Sequence, residues 1–135
     1  DPHTCVGACI VGENNKIQSV GYNGMPRGCS DDEYPWGREG GDPLDTKYIY
    51  VCHAELNAIL NYEGSSLKGS RIYTTLFPCN ECTKALIQVG IGEVIYLDNL
   101  YPDSASVVAA KKMMKSAGIT YRSYCLQGET VELRL

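Results

Sequence analysis

No apolar run in this sequence approaches the ~18 residues that a membrane-crossing helix needs, which excludes a spanning segment of that kind. Positive charge is also in short supply. Lys and Arg total 12 against 16 Asp and Glu, the formal net charge is −4 and the pI about 5.1, and the cations are scattered, so no footprint for a polynucleotide partner is present. Cysteine is not scarce, but the even, regular spacing of a secreted disulfide scaffold is missing: the count is seven, and Cys5, Cys9, Cys29, Cys52 and Cys125 follow no such framework. A reducing compartment fits that usage, and with no signal peptide in view a cytoplasmic location is expected. Internal repeats, low-complexity tracts and linkers are absent too. With 44% hydrophobic and 21% charged residues, the 135-residue composition is that of an ordinary globular chain, and residues 1–135 are expected to form one domain around one core.

Two short β-type runs open the chain, CVGACIV at 5–11 and KIQSVGY at 16–22, and GENN between them predicts an antiparallel hairpin. Residues 23–45 are so rich in Gly, Pro and Asp that regular structure is not expected, and a loop this long points to function. Leu56, Ile59 and Leu60 have helical spacing and predict a helix over 53–62, stopped by Gly64. After it come a strand at 71–76 (RIYTTL), a helix from PCNEC to Gly90, a strand EVIYL, a helix over 104–117 capped by Ser104 and ended by Gly118, and a strand at 119–124. These are two βαβ units. Together with the hairpin they predict an α/β architecture with a mixed sheet, antiparallel at first and parallel afterwards, with helices on both faces.

The chemistry sits at two helix starts. His53 and Glu55 in CHAEL are two apart, about 200° around a helix, and cannot share a target in mid-helix; in the first turn both can face a site beyond its open end. Cys79 and Cys82 in PCNEC are three apart in the first turn after Pro78, where the positive helix end favours thiolates. Each half has a plainer reading, a capping or ion pair for His-x-Glu and a redox pair for CxxC. Joined, they supply one His and two Cys ligands for zinc, with a fourth position open for water and Glu55 beside it as proton carrier. His53-x-Glu55 followed by Pro78-Cys79-x-x-Cys82 is the known signature of zinc nucleobase deaminases.

Over about residues 1–124 the chain resembles the deoxycytidylate (dCMP) deaminases of the cytidine deaminase superfamily, through VGACIV, GYNGMPRGCSDD, LDTKY, YVCHAELNAI and FPCNEC. The resemblance implies a three-layer α/β/α cytidine deaminase-like fold with a mixed five-stranded sheet, and hydrolysis of dCMP to dUMP and ammonia. It gives His53, Cys79 and Cys82 to one catalytic Zn2+ and the proton transfers to Glu55. It also implies that Asn23 holds the deoxyribose 3′-hydroxyl, that Ala54 presents its backbone to the base, and that Tyr101 contacts the nucleotide, although a turn Asn and a packing Tyr are common alternatives. Ile49 departs from the family, which often has Pro there, and the family's N-terminal helix is expected before Asp1. By the same resemblance a homo-oligomer, a hexamer in many members, is expected, with dCTP and dTTP as effectors and Mg2+ accompanying the triphosphate. Spacing does not choose among Lys47, Arg27 and Arg38 for the 5′-phosphate, and Cys5, Cys29, Cys52 and His3 are expected to be separate residues rather than a second metal site. Rival readings are a deaminase of another small cytosine nucleoside or nucleotide, and a nucleotide-binding module without catalysis on the same fold.

Overall fold

The computed structural model describes residues 6–29, 32–35, 42, 44 and 46–124, so His3, Cys5, Arg38 and Cys125 lie outside the described residues. The expected hairpin forms from β1 (Gly7–Val11) and β2 (Ile17–Tyr22), paired antiparallel. Its turn is closed by Gly12 N–H donating to Lys16 O (2.9 Å), and Asn15 takes φ 63°, a left-handed conformation that Asn tolerates better than most residues. Three further strands, β3 (Arg71–Leu76), β4 (Glu93–Asp98) and β5 (Thr120–Ser123), complete a five-stranded sheet in the order β2-β1-β3-β4-β5. Strand β1 is antiparallel to both neighbours, while β3, β4 and β5 run parallel, so the sheet is mixed as the sequence implies.

Helices α1 (Ala54–Asn61), α2 (Asn80–Gln88) and α3 (Ala105–Ala117) connect β2 to β3, β3 to β4 and β4 to β5. Helices on both faces are expected from the βαβ pattern, yet all three of these pack on one face. The reason is topological: each crossover joins parallel strands and steps in the same direction across the sheet, and crossovers of one hand that step one way leave their helices on one side. Their shared core joins Ile10, Ile72 and Val94 from the strands to Ala58, Leu86 and Met114 from the helices. No helix of the described residues is long and apolar enough to cross a membrane.

Local chemistry fixes the ends. Ser104 accepts from Val107 N–H (3.2 Å) to cap α3, and Gly118 ends it at φ 76°, where a side chain would be strained. Helix α1 is one residue shorter at each end than expected because His53 and Tyr62 are extended. It lies directly on β2. Ser19 Oγ donates to Ala58 O at 2.6 Å, and a Cβ placed on Gly21 would fall 2.3 Å from both Ala54 O and Ala58 N, so only glycine admits the helix at this distance.

Candidate active site

The loop before α1 is pinned to the loop after β2. Gly24 and Cys52 exchange both backbone hydrogen bonds (3.0 and 2.7 Å), which brings Asn23 alongside His53 and fixes the approach to the helix. His53 occupies the N-cap position of α1 but its side chain makes no cap bond. Its Nδ1 instead lies 3.4 Å from Cys79 Sγ and 3.5 Å from Cys82 Sγ. Cys79 is in turn the N-cap of α2, its sulfur accepting from Cys82 N–H at 3.4 Å.

The donor set fits zinc. A tetrahedral ion with Zn–N of about 2.0 Å and Zn–S of about 2.3 Å holds its N and S ligands about 3.5 Å apart, which is the spacing of His53 to both sulfurs. Among the described residues this is the one group of three or more His, Cys, Asp or Glu placed to hold an ion, and Cys29 and Cys52 join no such group. The pair of thiols also behaves as a ligand pair should. A hydrogen bond from the Cys82 thiol, aided by His53 and the Cys82 N–H, takes Cys79 down to about 4, while the same hydrogen bond and burial push Cys82 up. One proton is shared where a cation would replace it. His53 is raised, chiefly by its hydrogen bond to Cys79.

Glu55, the second residue of α1, is only 4% exposed, and burial raises its pKa against the opposing pull of hydrogen bonds that include Thr74. The Thr74 hydroxyl lies 2.9 Å from Glu55 Oε1 and also 2.9 Å from Leu76 O. The hydroxyl donates to Glu55, which favours the carboxylate against the burial that disfavours it, and its single proton is divided between that oxygen and the Leu76 carbonyl. Thr74 was not among the sequence candidates. The alternation in RIYTTL, which turns Ile72 and Thr74 to the core face, is the signal that finds it.

A cavity of about 410 Å³ opens over this carboxylate, a volume suited to a small ligand. Asn23, Ala54, Glu55 and Tyr101 all line it with His53 and Cys79, while Cys82 completes the ligand group behind them. Asn23 is not the left-handed turn residue that its Gly-rich setting suggests: φ is positive only at Asn15 among the described non-glycine residues, and Asn23 Oδ1 accepts from Val6 N–H at 3.1 Å. Leu76, Phe77, Val51 and Leu100, none of them distinguishable from core in the sequence, give the cavity apolar walls.

Residues 1–98 match the family described as the cytidine and deoxycytidylate deaminase zinc-binding region. The chain belongs to this deaminase family. Deoxycytidylate deaminases of Mus musculus and Homo sapiens are 56% and 55% identical to it over 124 residues, which cover 92% of this chain and 70% of each relative. Among solved structures it is similar to the dCMP deaminase of cyanophage S-TIM5 in complex with dCMP and dUMP, with a TM-score of 0.64 and 25% identity over 88% of this chain and 80% of that one. His53, Cys79 and Cys82 are this family member's zinc-binding residues, held at the starts of α1 and α2.

Proposed function

We propose that the chain, as one deaminase domain over residues 1–135, hydrolyses dCMP to dUMP and ammonia at its zinc site. The observation that carries this reading is a His/Cys/Cys ligand group sharing one cavity with a buried carboxylate. Zinc bound there supplies Lewis acidity that brings the pKa of water near neutrality. Glu55 moves the protons: it takes one from the attacking water, delivers it to N3 of cytosine as the C4–O bond forms, then passes the second to the amine as the C4–N bond breaks. Burial suits it to the task, because a raised pKa makes the carboxylate a stronger base toward the water proton than an exposed glutamate. Thr74 holds one carboxyl oxygen, leaving the other to face the reacting atoms.

Ala54, small and lining the cavity, lets the base approach the helix backbone, Asn23 receives the 3′-hydroxyl, and Tyr101 contacts the nucleotide from the loop after β4. The same reading includes a cytoplasmic setting, supported by five free cysteines among the described residues. It also includes a homo-oligomer, a hexamer, with dCTP and dTTP as effectors, the triphosphate accompanied by Mg2+. Turnover of dCMP, deoxycytidine, cytidine and dCTP by the zinc-loaded protein, with and without dCTP or dTTP, tests the substrate and regulation together, and native mass spectrometry tests the assembly. Preference for cytidine over dCMP would overturn the substrate reading.

A further inference from the structure

We propose that Asn80 and Ser106 form a clamp that positions the loop carrying Tyr101 against the zinc site, an inference that rests on the reading of Tyr101 as a nucleotide contact. Asn80 lies between the two cysteine ligands in the chain and is the first residue of α2, and Ser106 is the second residue of α3. Each serves the other. Ser106 Oγ accepts from Asn80 N–H (3.0 Å) and its hydroxyl donates to Asn80 Oδ1 (3.0 Å). A helix-start N–H, which can have no partner within α2, is thus satisfied from the neighbouring helix.

A second tie stands at the other end of the loop. Phe77 N–H donates to Asp98 O (2.8 Å), joining the last residue of β4 to the residue before Pro78. Residues 98–106 are therefore fastened to residues 77–80 twice, through backbone at Asp98 and through a side chain at Ser106. The cavity lies between the two fastened stretches: Phe77 and Cys79 line it from one, Leu100 and Tyr101 from the other.

Packing does not hold the loop side, because Leu100 and Tyr101 are both exposed. A side chain with so few neighbours keeps its place only if the backbone beneath it does. The Tyr101 carbonyl accepts from Ser104 N–H (3.1 Å), at the N-cap of α3, so the start of that helix and Tyr101 move together. The metal end has a separate support. Thr83 donates to Cys79 O from both its hydroxyl (2.8 Å) and its N–H (2.9 Å), which fixes the ligand turn within α2 itself. Releasing the clamp frees the wall of the cavity and leaves the zinc-binding residues in place.

Ser106→Ala removes both hydrogen bonds at a position that does not line the cavity. In the zinc-loaded protein the expected result is a fall in kcat/KM for dCMP of about 2- to 10-fold, carried by KM, with kcat within about twofold of wild type and zinc content unaltered. A double-mutant cycle with Tyr101→Ala separates the clamp from a general loosening of the fold. Because Ser106 acts through Tyr101, S106A is expected to cost nothing further in the Y101A background. No loss in the single variant, a loss carried by kcat, a loss of zinc, or an undiminished loss in the Y101A background each overturns the proposal. Y101A with wild-type kcat/KM instead overturns the reading of Tyr101, and the clamp with it, so that variant alone tells the two failures apart. Should S106A not fold, Asn80→Ala, which removes the Oδ1 acceptor and keeps the backbone bond, enters the same cycle; the same pattern is expected at smaller size, and additivity with Y101A refutes the proposal.

Discussion

At the metal end of the cavity, His53 and the Cys79–Cys82 pair come from two short stretches, each at the start of a helix, and are held by backbone geometry. Farther from the metal the lining also draws on Val6, Asn23, Lys47 and Tyr101, which belong to four separate segments and, apart from Lys47 at the head of a 3-10 turn (Lys47–Ile49), lie in no helix or strand. The difference concerns how chemistry and selectivity are stored. Reactivity depends on a few atoms at fixed spacings and fails as a unit, whereas recognition is divided among contacts that each contribute modestly.

The sharpest way to break that contrast is to remove a ligand. Cys82→Ala leaves two ligands, which cannot hold zinc firmly, so metal content by mass spectrometry and dCMP turnover should both vanish. Stoichiometric zinc in this variant would refute the ligand assignment. Next in size is Glu55→Gln, which keeps the shape and the zinc but loses the proton carrier, and kcat should fall by at least ~10². The same change should stabilise the metal-stripped protein at neutral pH. Because burial raises the folded-state pKa of Glu55, its contribution favours folding at acid pH and is lost as pH rises through that raised value. The gain in Tm of E55Q over wild type should therefore be largest near neutrality and shrink as pH falls, and an advantage that grows in acid would reverse the sign.

Recognition is probed by smaller effects. Taking the 5′-phosphate off the substrate removes binding energy that positions the base, so deoxycytidine should be ~10²-fold poorer in kcat/KM than dCMP. Near-equal rates would mean that the wall beyond the metal does not read the phosphate. Smallest of all, Tyr101 is 66% exposed, and Tyr101→Ala should cost only about 2- to 10-fold in kcat/KM, the worth of an aromatic contact. A loss as large as that of E55Q would move Tyr101 into the reacting set.

Much of the metal end was legible in the sequence because its spacings are local: two apart and three apart at helix starts have a geometric meaning before any fold is known. The hairpin, both βαβ units and the Ser104 and Gly118 boundaries were legible for the same reason, each resting on neighbours within a turn. What was not legible depended on long-range geometry. The placement of all three helices on one face follows from the order of strands, which periodicity does not encode. That Lys47 is buried in the cavity wall while Arg27 is exposed depends on contacts far apart in the chain, which spacing does not encode. Thr74 reads as an ordinary strand residue until α1 is laid across the sheet and sets Glu55 beside it.

Gly21 carries no functional group, yet in a saturation scan for activity it should score like a metal ligand. A single added carbon there would act as a shim beneath α1, meeting Ala54 O and Ala58 N at 2.3 Å, where both contacts are rigid backbone and neither can rotate away. The helix must then rise or tilt, and the end that moves is the one preceded by His53, whose 3.4 and 3.5 Å separations from the two sulfurs leave little slack for a tetrahedral ion. Intolerance to substitution is therefore a poor guide to which atoms react in this protein: the position that sets the height of the helix lies in a strand of the opening hairpin, 34 residues before Glu55 in the chain.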